Sequence, residues 1–180
     1  MENVAVKTKT KWVLDPAHSE LGFKVKHLMI SNVKGEFKDF SAEIDGEDLF
    51  KSQIKLTADA ASIYTKNEDR DNHLRSADFF DVEKHKNLTF EGMSYKQKQD
   101  DQYKLKGMLT IKGISKEVEL DVDYGGVVKD PYGNEKAGFS ISGKINRKDW
   151  GLNWNAALEA GGVMVSNEVK INAEVQFVKK

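Results

Sequence analysis

The sequence predicts an all-β protein, an extended antiparallel barrel of about eight strands with a short helical insertion at about residues 61–80. Three observations carry that expectation. The first is alternation: Leu21, Phe23, Val25 and His27 oppose Gly22, Lys24 and Lys26, and Val118, Leu120, Val122 and Tyr124 oppose Glu117, Glu119, Asp121 and Asp123. Near the other end Val169, Ile171, Ala173, Val175 and Phe177 oppose Glu168, Lys170, Asn172, Glu174 and Gln176. Side chains alternate across a strand, so each segment has one dry and one wet face. The second is that only 2 prolines are present to blunt the edges of so many strands, and closure removes edges altogether. The third is that the period departs from two in one place only, between Ala61 and Phe80.

Residues 1–10 read as a loose polar tail, and residues 11–180 as one domain whose first strand is anchored by Trp12. Asp15-Pro16 turns the chain. Strands follow at about Glu20–Leu28, Asn32–Asp39, Phe40–Asp45 and Gln53–Ala58. Thr65-Lys66-Asn67-Glu68 fits a capping box, which starts a helix near Lys66, and Asp71 and Arg75 stand at i and i+4 in the favourable order. Ser76 to Phe80 form a second short turn that presses two aromatics inward. Strands resume at Asn87–Tyr95 and Tyr103–Ile111, with Gln97 to Gln102 as a polar hairpin and Gly113-Ile114-Ser115 as the next connection. Glu117–Tyr124, Gly138–Asn146 and Asn167–Val178 complete the set; Gly125-Gly126 and Gly161-Gly162 read as turns or bulges, and Asp130 to Asn134 as an exposed turn.

Composition excludes several classes of function. The formal charge is -1, from 28 Lys and Arg against 29 Asp and Glu, so there is no overall basic surface for nucleic acid. No cysteine is present, which removes disulfides, thiolate catalysis and zinc ribbons. The apolar run at Val4 to Val6 is too short for a signal-peptide core and no later run approaches a membrane span, so the start shown leads to the expectation of a cytoplasmic protein.

Four ordered blocks carry a resemblance. They are Trp12-Val-Leu-Asp15-Pro16-Ala-His18-Ser19-Glu-Leu-Gly-Phe23 through Gly35-Glu-Phe37, Ala61-Ser62-Ile63 to Asp78-Phe79-Phe80, Gly107-Met-Leu109-Thr110-Ile111-Lys-Gly113, and Ile145-Asn146-Arg147-Lys148-Asp149-Trp150-Gly151-Leu152. From Lys11 onward the chain resembles the YceI-like polyisoprenoid-binding family. The resemblance implies an extended, lipocalin-like β-barrel whose apolar tunnel holds a long isoprenoid or related lipid, with no demonstrated reaction. Many members begin with a signal peptide, which this start lacks, and His85-Lys86 stands where the family usually has an aromatic-Pro pair.

The inward set expected to wall such a tunnel begins with Phe23, Val25, Phe37, Phe40, Ile44 and Leu56. Phe79, Phe80, Phe90, Val122, Phe139, Ile141, Trp150 and Trp154 continue it. In a barrel too long to fill itself, wall and core are the same face. Arg70, Arg75 and Arg147, with His73, are head-group candidates, because guanidinium suits phosphate and other anions. The competing role is structural, with Arg147 paired to Asp149 or to a helix carboxylate.

His18, His27, His73 and His85 show none of the short spacing of zinc helices, so no metal site is expected; His18 and Ser19 suit a turn after Pro16 and His27 the end of a strand at the rim. No cofactor motif or nucleophile arrangement stands out. The leading expectation is therefore binding, sequestration or transport of a long apolar small molecule, without catalysis, nucleic acid or a membrane span, by a chain that could form a homodimer. A small enzyme acting on a lipid or quinone-like substrate, with His18, His73, Arg70 and Asp71 at the mouth, is the second reading. A barrel filled by its own side chains is the third.

Overall fold

The computed structural model describes residues 10–155 and 164–180, so the expected tail, Thr10 apart, and the Gly161-Gly162 turn lie outside the described residues. The strands are β1 (Trp12–Leu14), β2 (Glu20–His27), β3 (Ser31–Phe37), β4 (Phe40–Asp45), β5 (Gln53–Asp59) and β6 (Ile63–Tyr64). After helix α1 (Glu68–Arg75) come β7 (Asn87–Gln99), β8 (Gln102–Ile111), β9 (Ile114–Lys129), β10 (Glu135–Asn146) and β11 (Val165–Lys179). All pairings are antiparallel. Strands β1, β4, β5, β7, β8, β9, β10 and β11 pair in that order, and β1 closes the ring onto β11 through Trp12↔Lys179 and Leu14↔Phe177. The barrel of about eight strands is therefore the fold this chain adopts.

The chain turns at Pro16–His18, where the Asp15 carboxylate accepts from the Ala17 N–H, and continues along the same edge of β11 as β2. Strand β3 lies beside β2, and its other edge meets β6 only at Glu36 and Phe37. From Ser31 to Gly35 that edge has no strand partner among the described residues. The wall is thus complete around one half of the barrel and interrupted at the other, where α1 packs.

Several boundaries differ from the sequence reading. Strands β7 and β8 run on to a two-residue turn at Asp100-Asp101, because the polar stretch of Gln97 to Gln102 pairs across strands, Gln97 opposite Tyr103. Lys112-Gly113, with φ of 53 and 74, forms the next hairpin turn, leaving Ile114 and Ser115 in β9. Both central residues of such a turn need positive φ, which suits its Gly. Gly125 is the extra residue of a bulge opposite Gly138 and Phe139, so β9 continues to Lys129 instead of turning. The helix starts at Glu68 with Asn67 as its cap, accepting from the Arg70 N–H at 3.0 Å; Lys66, at φ 64, cannot be helical, and Thr65 is bound to Asp71 instead.

One half of the interior is filled by its own side chains. Trp12, Ile44, Val122, Phe139 and Phe177 are buried together there. The loop between β4 and β5 closes this end: Phe50 stacks on Tyr103 at 4.2 Å between ring centroids and meets Tyr95 and Tyr124 edge-on at 5.3 and 5.1 Å. Trp12 Nε1 donates to the Glu47 carbonyl at 3.1 Å and holds the loop down.

Candidate functional site

The other half of the interior is open. A cavity of about 200 Å3 lies between β2, β3, β5, β7, β8, β9, β10 and β11. Its wall follows from the period of two, since alternate residues of each strand reach it: Phe23 and Val25, Ile54 and Leu56, Leu88 and Phe90, Val118 and Leu120, Val169 and Ile171. Leu74 of α1 with Phe79 and Phe80 covers the same space. Among its lining side chains, only Thr89 and Arg147 carry polar groups. Gly35 makes room for the Phe23 ring beside it, since a Cβ there would come within 2.3 Å of the ring where it now lies. Phe23, Phe37 and Phe80 then form a run of rings, with centroids 5.8 and 5.9 Å apart.

The cover is tied down by the residues read from sequence as head-group candidates. Arg70 donates from Nε to Thr65 Oγ1 at 2.8 Å and from Nη2 to the Thr65 carbonyl at 2.7 Å. Thr65 in turn donates its N–H and hydroxyl to the buried Asp71 carboxylate. Arg75 reaches the carbonyls of Ala61 and Ile63 at 2.8 and 3.1 Å, so both arginines strap α1 to the segment before it. His73 Nε2 meets Asp78 Oδ2 at 2.9 Å, its ring edge-on to Phe79 and Trp154. The turn Ser76–Phe80 is fixed by the Phe80 N–H donating to the Leu74 carbonyl at 3.0 Å, which directs both phenylalanines inward.

Arg147 borders the cavity with its apolar stem, its guanidinium turned to backbone carbonyls. It is 3% exposed, and its guanidinium donates to the carbonyls of Ser166, Leu152, Trp154 and Val165. The sequence suggested Asp149 or a helix carboxylate as its structural partner; the contacts are backbone carbonyls instead, because Leu152 and Trp154 on one side and Val165 and Ser166 on the other present theirs to it. Burial holds its pKa below the usual guanidinium value. The four head-group candidates thus sit in separate networks, and Arg147 alone lines the cavity.

Of the expected wall, Phe23, Val25, Phe37, Leu56, Phe79, Phe80, Phe90 and Ile141 line the cavity. Ile44, Val122 and Phe139 lie in the packed half, with half-buried Phe40 against it. Trp150 and Trp154 belong to a cluster behind Phe79, where Trp150 Nε1 donates to the Leu109 carbonyl at 2.9 Å. Lining residues that the sequence reading did not single out include Leu21, Ile54, Leu88, Leu105, Leu109 and Ile145. Their inward parity was legible; their depth along the barrel was not. The residues of the enzyme reading also separate: His18 Nδ1 meets Asp15 at 2.8 Å beside the β1–β2 turn, whereas Asp71 and Arg70 are bound to Thr65. Among the described residues no group of three His, Asp or Glu side chains is arranged to hold a metal ion.

Known proteins share this architecture. Residues 12–177 match the YceI-like domain. A UPF0312 protein of Staphylococcus epidermidis is 46% identical over 171 residues, 93% of this chain and 97% of the relative. A YceI protein of Campylobacter jejuni superposes with a TM-score of 0.72 at 38% identity, covering 100% of this chain and 99% of that one. BcnA of Burkholderia cenocepacia, 21% identical, shares the fold with a TM-score of 0.78 over 91% of this chain and 98% of its own. So does a polyisoprenoid binding domain from Saccharophagus degradans, 14% identical, with a TM-score of 0.72 over 94% and 98%. The wall, the strapped cover and these likenesses agree: the chain belongs to the YceI-like family.

Proposed function

We propose that this protein binds and carries one long apolar molecule, a polyisoprenoid or similar lipid, inside the barrel and performs no chemistry on it. The observation that carries the reading is the division of the interior, self-packed under Phe50 and open between Phe23 and Ile145. A void walled by Leu, Ile, Val and Phe excludes water and favours a hydrocarbon. Each methylene transferred into it contributes about 0.8 kcal/mol, so a chain of modest length binds firmly without directional contacts. Support for an isoprenoid in particular comes from the polyisoprenoid binding domain of Saccharophagus degradans, which shares the fold.

The test is native mass spectrometry of freshly purified protein, then organic extraction of whatever it holds. An apolar molecule near one per chain is expected. A protein that emerges empty, and takes up no geranylgeraniol supplied in detergent, overturns the reading.

A further inference from the structure

The β2–β3 hairpin ends in Leu28-Met29-Ile30, a turn closed by the Ile30 N–H donating to the His27 carbonyl at 3.2 Å. Leu28 and Met29 have φ of 54 and 62, where glycine or asparagine ordinarily stands. Met29 is 50% and Ile30 83% exposed. A strained turn of three large apolar residues, two of them offered to solvent, is costly for a free monomer. It also stands at the cavity: Val25 and Val165, which line it, pair with Val169 and with His27, the last strand residue before the turn.

The outer face of the same ribbon is cationic. Lys34 is opposite Lys24, Lys24 opposite Lys170, and Lys170 opposite Lys144, so four lysines form one row across β3, β2, β11 and β10. Lys26 stands between that row and the turn, opposite Asn32. Lys144 meets Glu168 at 3.5 Å; Lys24, Lys26, Lys34 and Lys170 have no ion-pair partner among the described residues. The nearest acids on this face flank the row without interrupting it: Glu36 on β3, Glu168 on β11, and Asp121 on β9, which lies opposite Ser142 beyond the Lys144 end. Like charges directly opposite one another destabilise a sheet, and an overall charge of -1 does not require them here.

We propose that this hairpin docks on an anionic bilayer surface, the tip entering the interface and the lysine row facing lipid phosphates, so that the cavity can load from the membrane. The dimensions agree. Interfacial segments enter about 5–10 Å, and at about 3.3 Å per residue this immerses Ile30 and Met29 and brings Lys26 to the surface. The Lys24 row then lies within about a Debye length of it. The inference rests on the apolar-ligand reading for its purpose, while the docking is measured separately from it.

The experiment is flotation of the full chain with vesicles of phosphatidylcholine alone or mixed with phosphatidylglycerol. Salt-dependent binding to the mixed vesicles is expected. Ile30→Glu, at an exposed position, should weaken it about tenfold or more, and the triple variant Lys24→Gln, Lys34→Gln, Lys170→Gln about a hundredfold. Both variants should still retain geranylgeraniol supplied in detergent, while Ile30→Glu loses uptake from vesicles. Absence of binding to mixed vesicles, equal binding by Ile30→Glu, or an ultracentrifuge dimer that Ile30→Glu dissolves would each overturn the proposal. Failure of the wild type to hold geranylgeraniol from detergent counts against the apolar ligand and leaves the flotation result to decide the docking.

Discussion

If the proposed apolar ligand fills the cavity, stripping it should cost the protein a large share of its stability, and the structure sets the size. An unfilled apolar void costs about 24 cal/mol per Å3. For a cavity of about 200 Å3 this amounts to about 5 kcal/mol, against a net stability of about 5–15 kcal/mol for a domain. For a chain of this length each kcal/mol moves the melting temperature by about 2–4 °C, so the extracted protein should melt about 10–20 °C below the filled one. The assay is differential scanning calorimetry of protein as purified, after organic extraction and refolding, and after refilling with geranylgeraniol. Ile171, beside Phe23 on the same stretch of cavity wall, supplies a ligand-free control. Ile171→Trp occupies part of the void, so it should stabilise the stripped protein and reduce the lipid retained. Identical melting of stripped and refilled protein would refute the reasoning, as would an Ile171→Trp variant that is less stable when empty yet holds lipid normally.

Four further outcomes test the two halves of the barrel, the buried Arg147 and the β1–β2 turn. Phe23→Asp puts a carboxylate into the cavity beside Gly35 and should abolish lipid retention in native mass spectra while the fold survives. Phe139→Asp puts one into the packed half, at a residue 5% exposed, and should lower the urea midpoint by several kcal/mol's worth of stability or prevent folding. Arg147→Met takes the guanidinium donors from the carbonyls of Leu152, Trp154 and Ser166, while Val165 keeps Asn155 Nδ2, and should destabilise by about 3 kcal/mol or more, read by urea denaturation. The acid side of the stability curve should fall with Asp15. His18 above all, with Lys136 and the Ala17 N–H, holds its carboxyl below the ordinary value of 3.8, burial opposing them. A depressed folded pKa contributes stability that is complete above the unfolded value and lost as pH drops through the folded one. Asp15→Asn should therefore lower stability at pH 6 and flatten the change below pH 4; an unchanged acid limb in titrated urea melts would remove Asp15 from that role.

Parity was the legible part of this fold and depth was not. Alternation told from Phe23, Val122 and Phe139 alike that each side chain points inward, and all three do. It contains no coordinate along the barrel axis, so it could not say that Val122 and Phe139 lie under the Phe50 plug while Phe23 borders the void. That coordinate comes from register, such as Phe23 opposite Gly35 and Ile171, which depends on partners distant in sequence. Local polarity misled at Gln97 to Gln102, because hairpin arms beyond a barrel are solvated on both faces and still pair. The cap of α1 was off by two residues for a different reason. Thr65 and Glu68 matched a capping box, but the buried Asp71 claims Thr65, and Asn67 caps in its place. A guanidinium held by four carbonyls, as at Arg147, has no local signature at all, since backbone carbonyls are common to every residue and only the fold brings those of Leu152, Trp154, Val165 and Ser166 to it.

The unequal halves explain how such a barrel can tolerate a void. Closure of the ring needs β1, three residues long, to hold both β4 and β11, and those contacts lie in the packed half around Trp12, Ile44 and Phe177. Burial there does not depend on a ligand. The cavity half is walled by β2 and β3, whose pairing to the rest runs through β11 and the two residues of β6. Opening that ribbon sacrifices the contacts of Glu36 and Phe37 with β6 and of Phe37 with Phe80, and leaves the packed half intact. Stability across a protein is not uniform, and segments with few partners open first. On the proposed function, a long chain should enter and leave at the free edge of β3, and amide exchange should be fastest there, from Ser31 to Gly35, in the empty protein and slowed once the void is filled. Uniform protection across β3 and β4 in the empty state would show instead that the ribbon does not open separately from the ring.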